Sequence, residues 1–314
     1  MTVENLFFAF RVVFPLFALI IIGMGLNARK IVDAAYAQAA NKLVFRVSLP
    51  MLVFNNIYTS ESDTLQVLPV VTYLVVGLLL VYSVNAIFVR RFVPLPKQGV
   101  MMQNSVHSNS ILFGLPLVTN MFGTVGSSAL SMIMPVTVPF FNTLGVVSHA
   151  IASPHKKPSP VSVARSVASN PIILSALCAL AINYIGYKLP GPVEQVIVDL
   201  SRTATPTALI ALGVSFRWQS LRENMHLLFT ASLLRLIIFP LILTTVALLL
   251  GFRGTYLAIM FVLFAGPIAV SSLVQTQESG GDAQFAAQHI VVSTLLSGVT
   301  LFVGIFILRS GGFI

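Results

Sequence analysis

Gln103-Asn104-Ser105-Val106-His107-Ser108-Asn109-Ser110 runs directly into Ile111-Leu112-Phe113-Gly114-Leu115-Pro116. Seven of the first eight side chains are amides, hydroxyls or an imidazole, yet the stretch sits inside a long apolar region. Groups of this kind cannot face hydrocarbon without hydrogen-bond partners, so they must face protein or a wet cavity. Proline removes an amide donor and its ring clashes with the preceding turn, so a helix through this stretch is expected to break near Gly114 and Pro116. A second segment, Phe264-Ala265-Gly266-Pro267 followed by Ser271, Ser272 and Gln275, repeats the pattern and predicts a second break near Gly266-Pro267.

The surrounding composition makes these segments part of a membrane protein. Of 314 residues, 56% are hydrophobic and 9% charged, with a mean hydropathy of +0.93, so the chain cannot cover a core with polar surface. Eighteen Lys and Arg against nine Asp and Glu give a net charge of +9. In a soluble domain that excess would suggest nucleic acid as a partner. Here the basic residues fall largely between apolar runs and act as topology signals, so no nucleic-acid partner is expected. A lone cysteine, Cys178, excludes a disulfide framework, a cysteine zinc site and a CxxC redox pair. The first apolar run continues to about residue 26 with no polar break or small-residue cleavage site, and is expected to stay as a span rather than be removed as a signal.

About 20 apolar residues are needed to cross about 30 Å of hydrocarbon. That ruler predicts an all-α integral membrane fold of ten transmembrane helices, over 5–26, 38–58, 66–89, 99–122, 127–150, 168–187, 193–215, 226–250, 254–277 and 284–308. The longest connection, 151–167, holds Pro154, Lys156, Lys157, Pro158 and Pro160 and divides the chain into five spans (1–150) and five spans (168–314). An odd number per half inverts the second half relative to the first, as in transporters built from inverted repeats. The halves also match internally: Ser48-Leu49-Pro50 with Ala204-Thr205-Pro206, Gly114-Leu115-Pro116 with Gly266-Pro267, and Pro15 with Pro171. Gly and Pro are common in membrane helices anyway, so chance is the competing account of these matches.

With the N-terminus outside, the cytoplasmic loops hold Arg29, Lys30, Arg90, Arg91, Lys97, Lys156, Lys157, Arg165, Arg217 and Arg222. The opposite side holds Lys188, Arg253 and Arg309, with Glu61 and Asp63. Ten basic residues against three predict non-cytoplasmic termini. Glu278 and Asp282, in the last cytoplasmic loop, run against the trend, but acidic residues carry little weight in this rule.

Paired broken helices in matching positions of two halves point to a substrate site. A half-helix that begins near the midplane presents unpaired N–H groups and the positive end of its dipole, which favours an anion. The charges inside the spans lean the same way, with Arg11, Lys42, Arg46, Arg202 and Arg235 against Asp199. Arg11, Lys42 and Arg46 lie near enough to helix ends to snorkel instead. Asp199 and Arg202 are spaced for a structural ion pair or a role in transport, and Arg235 for a buried clamp or part of an anion path. His107, beside the first break, is a candidate for proton coupling, with hydrogen bonding in a polar helix interface as the alternative; His289 is a weaker one. Sodium would want clustered oxygens, which unwound carbonyls with Ser and Asn could supply, but no pair of midplane carboxylates speaks for it. No HExxH, GxSxG, P-loop lysine or acidic metal cluster is present, so neither an enzyme nor a cofactor is expected.

Asn109-Ser-Ile-Leu-Phe-Gly114-Leu-Pro116, followed by Met121-Phe122-Gly123, resembles the Asn-x4-Gly-x-Pro crossover motif of the auxin efflux carrier family, which includes plant auxin carriers and bacterial permeases for malonate or malate. Phe14-Pro15-Leu16, Asn41-Lys42-Leu43-Val44 through Leu49-Pro50, Asn170-Pro171, Ala211-Leu212-Gly213, Arg235 with Pro240, and Arg253-Gly254 extend the similarity along almost the whole chain. The resemblance implies helices 1, 2, 6 and 7 as a scaffold, 3–5 and 8–10 as a moving transport domain, an elevator-like cycle and a dimer through the scaffold. It also implies Asn109 as a substrate contact, with Pro116 and Pro267 shaping the crossover. After Pro267 this chain has Ile268-Ala269-Val270-Ser271-Ser272 where plant members have Gln-Gly-Ile-Val-Pro, and it lacks their long hydrophilic central loop, which suggests a prokaryotic member.

Together these readings predict a secondary transporter of small organic anions, such as carboxylates or auxin-like acids, in the cell membrane. The candidate substrate-binding residues are Asn109, Ser110, Gly114, Pro116, Gly266, Pro267, Ser271 and Ser272; His107, Arg235 and Asp199 are candidates for coupling or an anion path. A ligand-binding membrane sensor of the same fold, a channel, and a transporter of a neutral polar solute are the alternatives.

Overall fold

The computed structural model describes residues 2–60, 67–152, 168–215 and 224–314. Glu61, Asp63, Arg217, Arg222 and nearly all of the 151–167 linker lie outside the described residues. The described chain is helical. Helix α1 is Thr2–Ala28; α2 (Ala34–Leu43) continues through a π turn, Val44–Ser48, into α3 (Leu49–Tyr58); α4 is Leu68–Phe92 and α5 Leu95–Val106. A π turn, Ser110–Gly114, leads into α6 (Leu115–Ala152), followed by α7 (Pro171–Ile185) and α8 (Gly191–Val214). Helix α9 (Met225–Leu233) passes through a third π turn, Leu234–Ile238, into α10 (Phe239–Leu249). The chain ends with α11 (Gly254–Ala265), α12 (Ser271–Ser279) and α13 (Ala283–Ser310).

Among the described residues, five helical segments are long and apolar enough to cross a bilayer: 3–28, 68–92, 110–152, 225–249 and 283–310. The third is a hairpin. Gly123 has φ +61° and ψ −141°, a conformation open to glycine and strained for other residues. A Cβ on Gly126 would lie 2.8 Å from the carbonyl oxygen of Val118, whereas residues eight apart in a straight helix are separated by about 12 Å. The chain therefore folds back at Gly123, between the stretches expected as 99–122 and 127–150.

The prolines act differently from the sequence expectation. Pro50, Pro116 and Pro240 each stand two residues after the end of a π turn. A π turn bonds i to i+5, so the proline's missing N–H and bulky ring fall where the ladder is already widened, and the helix continues. The break near Gly114-Pro116 is thus corrected: the helix opens at His107–Asn109, and Gly114 and Pro116 sit within the helical segment that follows. Pro206 lies inside α8, which continues through it to Val214. At Gly266-Pro267 the break falls where the sequence puts it, between α11 and α12.

Two groups of helices pack separately and then meet. Helices α1, α2–α3, α7 and α8 pack on one another; α5 lies between α4 and α6, and α11 and α13 pack against α6, α9–α10 and α12. Helices α6 and α13 carry the contact back to α1, α3 and α7. At the α1–α8 crossing, Gly23 and Gly213 face each other: a Cβ on Gly23 would lie 2.2 Å from the carbonyl of Ile210, and one on Gly213 would lie 2.1 Å from that of Ile20. Close backbone approach through small residues is the usual means of holding membrane helices together.

Arg235, in the third π turn, is 1% exposed. Its guanidinium donates to the carbonyl of Phe264 and, at 3.5 Å, to that of Leu263. These belong to the last turn of α11, whose carbonyls have no partner within the helix and carry the negative end of its dipole. The arginine therefore closes the broken end of α11 from a neighbouring helix.

Two outcomes follow for thermal unfolding in detergent. Arg235→Leu leaves buried carbonyls unpaired and should cost about 2–4 kcal/mol, with Arg235→Lys recovering part. Gly213→Val forces the α1–α8 crossing apart and should cost about 1–3 kcal/mol, while Gly25→Ala, where a Cβ meets no neighbour, should leave the midpoint unchanged.

Candidate functional site: the crossing of two broken helices

Each break exposes backbone groups that would be unpaired in a bilayer, and the two breaks satisfy one another. The amide of Asn109 donates to the carbonyl of Pro267 at 2.8 Å, and that of Ala269 to the carbonyl of His107 at 3.1 Å. Ser108 and Ile268 thereby form an isolated antiparallel bridge, two residues of sheet within a helical protein. The amide of Ile268 donates to Ser293 Oγ at 3.3 Å, tying the crossing to α13. Gly266 permits the approach, because a Cβ there would lie 2.7 Å from the carbonyl of Val262 and 2.8 Å from Ser108 Oγ.

The segment beyond the first break begins with its own cap. Asn109 Oδ1 accepts from the amide of Leu112 at 3.2 Å, which leaves the first N–H groups of this helix, on Ser110 and Ile111, without intrahelical partners. The second half-helix, α12, begins at Ser271. Both starts border one cavity of about 110 Å³, whose walls include His107, Asn109, Ser110 and Ser271. Phe45, Phe141, Asn142 and Asn170 close it from α2–α3, α6 and the start of α7. Asn170 is held there by its role as cap of α7, accepting from the amide of Ile172 at 2.9 Å ahead of Pro171.

Of the eight substrate-binding candidates, Asn109, Ser110 and Ser271 line this cavity. Gly114, Pro116, Gly266, Pro267 and Ser272 are buried and do not form its wall; of these, Gly266 and Pro267 take part in the crossing itself. Among the coupling candidates, His107 lines the cavity. Arg235 is turned to the end of α11, and Asp199 lies exposed on α8, 3.9 Å from Arg202 and bonded to Gln195 Nε2 at 2.9 Å.

From His107 a chain of buried side chains leads away from the cavity. His107 Nε2 lies 3.4 Å from Ser271 Oγ, and Nδ1 lies 3.3 Å from Gln103 Nε2. Gln103 donates to Gln275 Oε1, and its own Oε1 is 2.8 Å from His149 Nε2. His149 in turn lies 3.4 Å from Thr276 Oγ1 and lines a second cavity, of about 210 Å³, with Pro96, Gly99, Gly280 and Gly281. No local pattern singles out His149, Asn142 or Phe45, each of which reaches its place through tertiary packing. Asn170 did carry a signal, the Asn-Pro opening of its span. Among the described residues no group of three or more His, Cys, Asp or Glu could hold a metal ion.

Along 295 residues, 92% of this chain and 95% of the relative, the sequence is 25% identical to an uncharacterized transporter of Methanothermobacter thermautotrophicus. Along 175 residues, 54% of each chain, it is 27% identical to a proposed malonate transporter of Rhizobium meliloti. Residues 8–305 match the family described as membrane transport protein. The chain therefore belongs to the membrane transport protein family, the auxin efflux carrier group that the Asn109–Pro116 segment resembles, and is a multi-pass membrane protein.

Proposed function

We propose that this chain is a secondary transporter of small organic anions, with the substrate held at the crossing of the two broken helices. One observation carries the reading: the N-terminal ends of two half-helices, at Ser110 and Ser271, open onto the same cavity beside Asn109. Partial positive charge converges there in a poorly hydrated setting, which suits a carboxylate. The cavity is small beside the roughly 300–1,000 Å³ that take drug-sized ligands, which favours an acid of few heavy atoms. A relative named for malonate agrees in kind.

In this reading the helices make ten passes in two inverted sets of five, joined by the 151–167 linker, with both termini on the non-cytoplasmic face of the cell membrane. Helices α1–α3, α7 and α8 form the scaffold, through which a homodimer would form. Helices α4–α6 and α9–α13 move against it with the crossing as their cargo site, an elevator cycle. The extensive packing of α1–α3, α7 and α8 on one another supports the division. His107 is the coupling group, because it touches both the cavity and the chain of side chains leading to His149. A sensor of the same fold would bind the acid without exchanging it, and a neutral polar solute would be insensitive to charge placed at Asn109.

Counterflow in proteoliposomes tests this with malonate, malate, a monocarboxylate and indole-3-acetate. The wild-type protein should exchange a small acid, and Asn109→Ala should reduce exchange sharply. Asn109→Asp keeps a good helix cap while setting a negative charge against the anion; it should abolish exchange with an unchanged unfolding midpoint. Wild-type exchange by Asn109→Asp would remove the crossing as the site. An imposed pH gradient should drive accumulation by the wild type, and His107→Gln should retain exchange while losing that accumulation.

A further inference from the structure

Two of the basic residues placed near helix ends by the sequence stand at the approach to the crossing. Gln38, Lys42, Phe45 and Arg46 share one face of α2 and its π turn, spaced i, i+4, i+7 and i+8. With Val274 and Gln275 of α12 they line a wide, open cleft of about 520 Å³. Phe45, Val270 and Ser271 are walls of both this cavity and the small one. The wide cavity is therefore an anteroom, with Phe45 at the partition and Ser271 reachable from either side. Its far wall belongs to α12, whose N-terminal end borders the crossing.

Lys42 and Arg46 are both exposed, and no acidic side chain lines the anteroom. The other cations within the spans are placed elsewhere. Arg235 is taken up by the carbonyls of α11, Arg202 lies beside Asp199, and Arg11 lies on α1 away from both cavities. A lysine and an arginine that only snorkelled would serve lipid headgroups. Both residues also line a cleft whose walls are mostly apolar, where like charges at the rim focus the field and raise the local concentration of an anion.

We propose that Lys42 and Arg46 form an outer anion station, which captures a carboxylate in the anteroom and passes it by Phe45 to the crossing. The station rests on the transport reading above and adds to it the residues that select an anion over a neutral solute. Binding here is electrostatic and open to water, so it governs capture at low concentration and contributes little to the rate once the site is full.

The test is counterflow of whichever small acid the wild-type protein exchanges, over a range of concentration and at about 0.05 and about 0.5 M salt. Lys42→Gln, Arg46→Gln and the double variant are compared with Lys42→Arg and Arg46→Lys. The double variant should raise the half-saturating concentration about tenfold, hold the maximal rate within about twofold, and lose most of the salt dependence seen in the wild type. Each single neutral variant should show part of the effect, and the charge-conserving variants should behave as wild type. A merely structural role would change the maximal rate or the unfolding midpoint and leave the salt dependence in place; that result overturns the proposal. Wild-type half-saturation and salt dependence in the double variant, with Asn109→Asp still inactive, overturns the station alone. Absence of exchange of any acid by folded wild-type protein overturns both readings.

Discussion

Inside a bilayer no water is available to a backbone N–H or C=O, so a helix can break there only where something else takes up its bonds. That constraint organises this protein. The break at His107–Asn109 and the break at Gly266–Val270 each need partners, and each supplies the other's through the Asn109–Pro267 and Ala269–His107 bonds. Around this pairing the rest is support: Arg235 closes the end of α11, Asn109 caps the segment that follows the first break, and Ser293 anchors Ile268 from α13. Removing one break would strand the other, so the two halves of the chain are coupled at the place where the cavity lies.

The same arrangement explains why polar side chains crowd into Gln103–Ser110. Gln103 meets Gln275, His107 and His149, and Asn104 lies 3.3 Å from His289. These contacts keep amides and imidazoles away from hydrocarbon while fixing how α5, α6, α12 and α13 sit against each other. Gly145 makes room for one of them, since a Cβ there would lie 2.3 Å from Gln275 Oε1. The polar interior therefore specifies the arrangement of the helices that carry the cavity, and the apolar exterior specifies only that they stay in the membrane.

Much of this was legible in the sequence, for physical reasons that can be named. A run such as Gln103–Ser110 has no stable place on a lipid face, so it must face protein or a wet cavity, and Gly266-Pro267 marks a second break of the same kind. Pro116 is not the breaking point its sequence suggests, because a proline two residues after a π turn is accommodated, and no local pattern announces a π turn. Arg235 could be seen to be buried, but whether it met substrate or helix end depended on where α11 stopped. Asn142, His149 and Phe45 sit among apolar neighbours with nothing in their spacing to single them out. Lys42 and Arg46 were visible as charges near a helix end, and only the position of α12 gave them a cavity to face.

A small cavity thus lies between two helix starts, with a wider, mostly apolar cleft lined by Lys42 and Arg46 beside it. The most direct measurement is a structure determined with an exchangeable small acid at saturating concentration. The account predicts the acid between residues 107–110 and 269–271, with a carboxylate against the Ser110 and Ile111 amides and Asn109 within hydrogen-bond distance. An acid bound well away from the crossing, with this cavity filled by side chains or solvent alone, would contradict it.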